Sequence, residues 1–123
     1  MGRIGIREDA ELEKCLDRCA NSENVLLEGL YTHFATADEA DKTYAYEQLS
    51  RFLAIKEKIE KSGFSPIVHA ANSAAAVELP EAQFDMVSQG ITLYGGYPSE
   101  AVDKRKMDLR QAMSCLLYTS RCV

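Results

Sequence analysis

The sequence predicts an α/β fold with parallel strands, on three observations. First, apolar runs and amphipathic stretches alternate: helix at 8–21, strand at 25–34, helix at 42–61, strand at 66–69, a short helix at 74–78 and strand at 84–87. That order implies a parallel sheet joined by right-handed crossovers. Second, the run from Val25 to Phe34 is mostly apolar, not alternating, as a strand covered on both faces would be. Third, two strand runs end in small and polar residues. Pro66-Ile67-Val68 breaks into His69-Ala70-Ala71-Asn72-Ser73, and Phe84-Asp85-Met86-Val87 meets Ser88-Gln89-Gly90-Ile91. In parallel α/β proteins, sites are built beyond the carboxyl ends of the strands.

Each element has its own justification. At the amino end, Gly2 and Gly5 flank Arg3-Ile4 in an extended segment that permits close backbone approach. In 8–21, Leu12, Cys15, Leu16 and Cys19 recur at helical spacing as one apolar stripe, and Glu8, Asp9 and Glu11 crowd the first turn, where the helix dipole favours negative charge. In 42–61 the stripe is Ala45, Leu49, Phe52, Ile55 and Ile59, with charges on the far side. Ser62-Gly63 ends that helix, glycine suiting the left-handed position after it. Nothing on this helix asks for chemistry, and it reads as scaffold. Pro80 stops the short helix that starts at Ala74. From Pro98 to Lys106 the composition turns polar and reads as a connector.

Composition narrows the function classes. A chain of 123 residues with 46% apolar content can hold one domain with a core. Net charge is −5, with Lys and Arg scattered and no basic stripe, so nucleic acid is not an expected partner. No apolar run approaches the roughly 18 residues of a membrane span, and there is no basic-then-apolar leader. A cytoplasmic protein is the expectation. Cys15 and Cys19 read as core packing, and no Cys or His spacing suggests zinc.

His33 ends the first strand run, where a histidine is more often a hydrogen-bonded structural residue than a catalytic one; the polar loop that follows raises the odds of a site role. Asn72-Ser73 before a short helix is most simply an N-cap. It could equally offer a hydroxyl and a positive helix end to a phosphate, and Gly90-Ile91 a backbone N–H with no side chain in the way.

Taken together, Met1-Gly2-Arg3-Ile4-Gly5, Thr32-His33-Phe34-Ala35, His69-Ala70-Ala71-Asn72-Ser73 and Ser88-Gln89-Gly90-Ile91 resemble alanine racemase, the pyridoxal-phosphate enzyme family that interconverts L- and D-alanine for cell-wall peptidoglycan. Each motif is weak alone, but the spaced set covers residues 1–114. The resemblance implies a (β/α)₈ barrel. Such a barrel takes about 250 residues, so the chain would be an incomplete one. It implies a partial cofactor-binding barrel at 1–108, the start of a missing C-terminal β-domain at 109–114, and a missing N-terminal third. It also implies a homodimer with shared active sites. Arg3 would reach the phenolic oxygen of the cofactor, His33 would flank its ring and Asn72 support it, and Ser73, Gly90 and Ile91 would bind the phosphate. The lysine that carries the cofactor and the tyrosine on the opposite substrate face would lie in the missing segments, leaving this chain inactive.

Two departures stand out. Ser88 occupies the position where the family usually has an arginine facing the pyridine nitrogen; serine can donate there without a charge. Residues 115–123 leave the family pattern and resemble a translated adapter sequence. Two other readings stay open: a non-catalytic pyridoxal-phosphate-binding barrel protein, and a racemase variant acting on serine or another amino acid.

Overall fold

A computed structural model describes residues 4–112. Arg3, the end of the 109–114 segment and the 115–123 tail lie outside the described residues. Helix α1 runs Asp9–Ala20 and helix α2 Thr43–Lys61, both within a residue of expectation. Strands β1 (Gly29–Tyr31) and β2 (Ile67–His69) pair in parallel, with Leu30 opposite Val68 and Tyr31 opposite His69. The expected parallel sheet is therefore present, with a third parallel position at the bridge between His69 and Met86.

The strands are shorter than the apolar runs suggest. Residues 25–28 are not strand, and Val25 and Leu26 are 55% and 81% exposed. Nor is the sheet covered on both faces. Leu30 and Val68 pack toward the helices, whereas Tyr31, Ile67 and Met86, on the alternate face, are each about half exposed. The expected strand at 84–87 reduces to one bridge for a local reason. Phe84 takes a left-handed backbone (φ 47°) while its ring packs edge-on against Phe52 at 5.7 Å. The next residue laces the segment to β2, its amide donating to the Val68 carbonyl (3.1 Å) and its carboxylate accepting the Val68 amide (2.8 Å).

Helix α2 is held at both ends. Asp41 Oδ1 accepts from the Thr43 amide (2.9 Å) and hydroxyl (2.6 Å), contacts that lower its pKa. After Ser62, Gly63 turns left-handed (φ 87°); its amide donates to Glu60 and that of Phe64 to Ile59, which closes the last turn. The main core gathers Phe34, Ala45, Leu49, Phe52, Val68 and Leu79 between α2 and the loops. A smaller cluster of Leu12, Leu16 and Ile59 fastens α1 to α2, with Lys58 and Asp9 paired across it at 2.5 Å. Cys15 and Cys19 only border that cluster: both are half-buried and reduced, so the core-packing expectation is corrected to a peripheral role. Burial, then Cys15 beside it, pushes the Cys19 thiol pKa up.

Candidate functional site

The loops following β1, β2 and the 84–87 segment converge beyond the carboxyl ends of the strands on a cavity of about 500 Å³. Its wall takes His33, Phe34, Ala35 and Asp38 from the first loop, Asn72, Ser73 and Ala74 from the second, Ser88 through Ile91 from the third, and Pro98 from the connector. Six residues expected at the site, His33, Asn72, Ser73, Ser88, Gly90 and Ile91, thus meet in one place.

Ser73 is the hinge of this arrangement. It is 7% exposed, and its Oγ accepts the Gly90 amide at 2.9 Å, joining motifs 17 residues apart. Thr92 Oγ1 stands 3.1 Å from Ser73 Oγ and 3.3 Å from Gln89 Oε1, with one proton for two acceptors. When Thr92 donates to Ser73, both lone pairs of Ser73 are used, and its own proton is left for another acceptor. The third loop then enters a 3₁₀ turn at Ile91–Tyr94. The amide of Ile91, first in that turn, has no carbonyl within it to bond. The turn closes on Gly95, where φ is 80° and an added Cβ would lie 2.1 Å from the Arg110 carbonyl oxygen, so only glycine fits.

Asn72 serves two structural bonds. Its Oδ1 accepts the Ala75 amide (3.0 Å), the capping contact expected at this position, and its Nδ2 reaches the Phe34 carbonyl (3.4 Å), bracing the first loop against the second. The helix it caps, Ala75–Glu78, is only 4 residues long, so its dipole adds little. What the wall can offer an anion is therefore the hydrogen-bond donors of the loops. Ser88 donates both its amide (2.8 Å) and its hydroxyl (3.3 Å) to the Ala71 carbonyl. In this arrangement the Ser88 hydroxyl proton is taken up within the loops, and an oxygen lone pair faces outward.

No lysine, arginine or tyrosine lines this cavity among the described residues, and Asp38 is its only carboxylate. Lys42 is held by the carbonyls of Ala37 and Glu39, and Lys56, Lys58, Lys61, Lys104 and Lys106 are ion-paired. Thr92 was not anticipated from sequence. The available signal was its place two residues after Gly90, one step into the turn.

Residues 1–98 match the family described as alanine racemase, N-terminal domain. The chain is 48% identical over 116 residues to an alanine racemase of Desulforamulus reducens and 44% identical over 115 residues to one of Methanococcus maripaludis. Each comparison covers 93% of this chain but 31% of the relative. Among solved structures, alanine racemase of Clostridium difficile 630 superposes with a TM-score of 0.84 at 38% identity, over 89% of this chain and 29% of that one. Alanine racemase from Bacillus anthracis with bound L-Ala-P gives 0.78 at 42% identity, over 85% and 28%. The chain thus spans about 30% of the length of the relatives it matches. The parallel β1–β2 pair with its crossover helix is part of an α/β barrel, and the chain belongs to the alanine racemase N-terminal domain family.

Proposed function

We propose that the protein carrying this sequence is a pyridoxal-phosphate-dependent racemase of alanine, and that this chain supplies the phosphate end of its cofactor site. The observation that carries the reading is the Ser73–Gly90 contact, which sets the Ser73 hydroxyl beside the start of the Ile91 turn on one cavity wall. The donor set fits a phosphate, which backbone amides and a hydroxyl hold well without a cation. Bound there, pyridoxal phosphate supplies the electron sink for charge developing at the amino-acid Cα.

The chain's own residues divide the remaining work. Ser73 Oγ and the Ile91 amide would take the phosphate oxygens, and Gly90, whose amide is spent on Ser73, would orient that hydroxyl. Asn72 fixes the spacing of the loops, His33 forms the wall beside them and Ser88 borders the far side. Arg3 would join from outside the described residues. Racemisation needs an acid or base on each face of Cα, because the proton leaves from one side and returns on the other. Among the described residues this wall holds no lysine or tyrosine, so both proton-transfer groups would come from elsewhere in the whole protein, which we read from the family as a cytoplasmic homodimer with shared sites.

Two measurements test this. The complete gene product should convert L-alanine to D-alanine only with pyridoxal phosphate, in an assay coupled to a D-amino-acid oxidase. The isolated chain should bind pyridoxal phosphate reversibly without racemising, and borohydride should leave no stoichiometric lysine adduct. Racemisation by the isolated chain, or its failure to prefer pyridoxal phosphate over pyridoxal, contradicts the proposal.

A further inference from the structure

Helix α2 reads as scaffold from its sequence, yet one of its side chains leaves the helix surface for the cavity loop. Gln48 Nε2 donates to the His33 carbonyl at 2.8 Å and to Thr32 Oγ1 at 3.0 Å, while Gln48 Oε1 accepts the Ala35 amide at 3.2 Å. One carboxamide thus uses both amide protons and its carbonyl on three successive parts of the strand-to-loop turn. The same turn is braced from the other side by Asn72, through the Phe34 carbonyl, and by Phe34 in the core, but neither contact reaches His33 itself. The Thr32 amide donates to the His69 carbonyl, which is the last β1–β2 bond, and beyond it the chain leaves the sheet. Gln48 is half-buried one position before Leu49, and Leu49 and Phe52 anchor the same helix in the core. Its base is therefore fixed, and the restraint passes from the core to the loop.

We propose that Gln48 is a positioning residue that sets the His33 side chain on the cavity wall. This rests on the reading of the cavity as the cofactor site, but its geometry concerns His33 alone. The carboxamide is needed in full. A carboxylate keeps the acceptor for Ala35 but has no proton for His33 or Thr32, and a leucine of similar size loses all three bonds. A packing role alone would be met by leucine.

The experiment uses this chain with ¹³C-labelled histidine and Gln48→Leu, Gln48→Glu and His33→Ala variants, followed by NMR. In the parent chain the His33 ring should give one set of cross-peaks to cavity residues. In both Gln48 variants more than half of that intensity should be lost. Exchange of the Ala35 amide should speed up about tenfold in Gln48→Leu but little in Gln48→Glu, which still accepts that proton. If either variant fails to fold, the other carries the measurement, because both remove the donors to His33 and Thr32. A His33 ring unchanged in a folded Gln48 variant overturns the proposal. Pyridoxal phosphate affinity separates the two readings. With both correct, Gln48→Leu and His33→Ala each weaken binding, and the double variant is no weaker than His33→Ala. Lost ring cross-peaks with unaltered affinity in every variant sustain the positioning role and overturn the cofactor reading.

Discussion

Removing one hydroxyl tests the site most directly. In Ser73→Ala the Gly90 amide loses its acceptor at 2.9 Å, and Thr92 loses one of two. Gly90 is exposed, so water can take its amide, and Thr92 can turn to Gln89. The folding cost should then be that of one ordinary hydrogen bond, about 1 kcal/mol, which in a domain of this size lowers Tm by about 4 °C. Ligand binding should suffer more. A hydrogen bond to a charged group is worth about 1.5–3 kcal/mol, and every 1.4 kcal/mol is roughly tenfold in affinity. Pyridoxal phosphate should therefore bind about 10- to 150-fold more weakly to Ser73→Ala.

The assay is equilibrium dialysis of pyridoxal phosphate and pyridoxal against parent and variant chains below the melting transition. The loss should fall on the phosphorylated ligand alone. Gly90→Ala is the steric counterpart: an added Cβ would meet nothing within 4 Å, so the methyl would occupy open space at the cavity wall. Equal losses for both ligands in Ser73→Ala, or none for either in a folded chain, would show that this wall does not hold the phosphate.

Other expectations follow from the same geometry. Leu79 is fully buried, so Leu79→Ala should cost about 2–5 kcal/mol, read as a lower urea midpoint at unchanged slope; a cost under about 1 kcal/mol would contradict the core assignment. Arg105 beside Asp103, through its side chain and then its amide, holds that carboxyl down from 3.8 to about 2. A folded pKa below the unfolded one means the stabilisation is full above about pH 4 and lost as pH falls through about 2. The amide shift of Arg105 should titrate in that window, and a midpoint near 3.8 would refute the contact. Ser88 is exposed, so Ser88→Arg should change stability by less than about 0.5 kcal/mol. If the complete protein is the racemase proposed above, the same change should lower the yield of pyruvate relative to D-alanine, since a cation at the ring nitrogen opposes its protonation. An unchanged ratio would place Ser88 away from the ring.

What the sequence made legible was what short-range chemistry determines. The stop at Ser62-Gly63 was readable because only glycine turns left-handed there without penalty, and the structure adds the two amide bonds that close it. The stripe on α2 was readable because Ala45, Leu49, Phe52 and Ile59 repeat at helical spacing and are all buried. Strand lengths were not. An apolar run such as Val25-Leu26-Leu27 records the cover a strand is adapted to, and the described residues cover only one face. The left-handed Phe84 was equally invisible, since a contact with Phe52, far away in sequence, maintains a backbone the residue alone disfavours. At the candidate site, the rule that loops after strand ends carry ligands pointed to Asn72-Ser73 and Gly90-Ile91, which the fold brings onto one cavity wall. It had no reach to Gln48, because a glutamine beside a helical apolar stripe looks like any solvated neighbour until the loop is folded over it.

The character of the wall follows from its donors. Among the described residues it presents a hydroxyl, loop amides and one carboxylate, Asp38, with no cation. Coulomb attraction therefore does little to draw an anion in, and Asp38 opposes a badly placed one. Selection falls to hydrogen-bond direction, which demands that the loops keep their spacing before a ligand arrives. That demand explains the bracing. Asn72 ties the second loop to the first, Ser73 ties it to the third, and Gln48 ties the first to α2. Each tie uses neutral groups, which salt screens little. Under the proposed reading such a grip would give up long-range attraction and gain a fixed geometry, which a cofactor whose ring must be presented at one angle needs more.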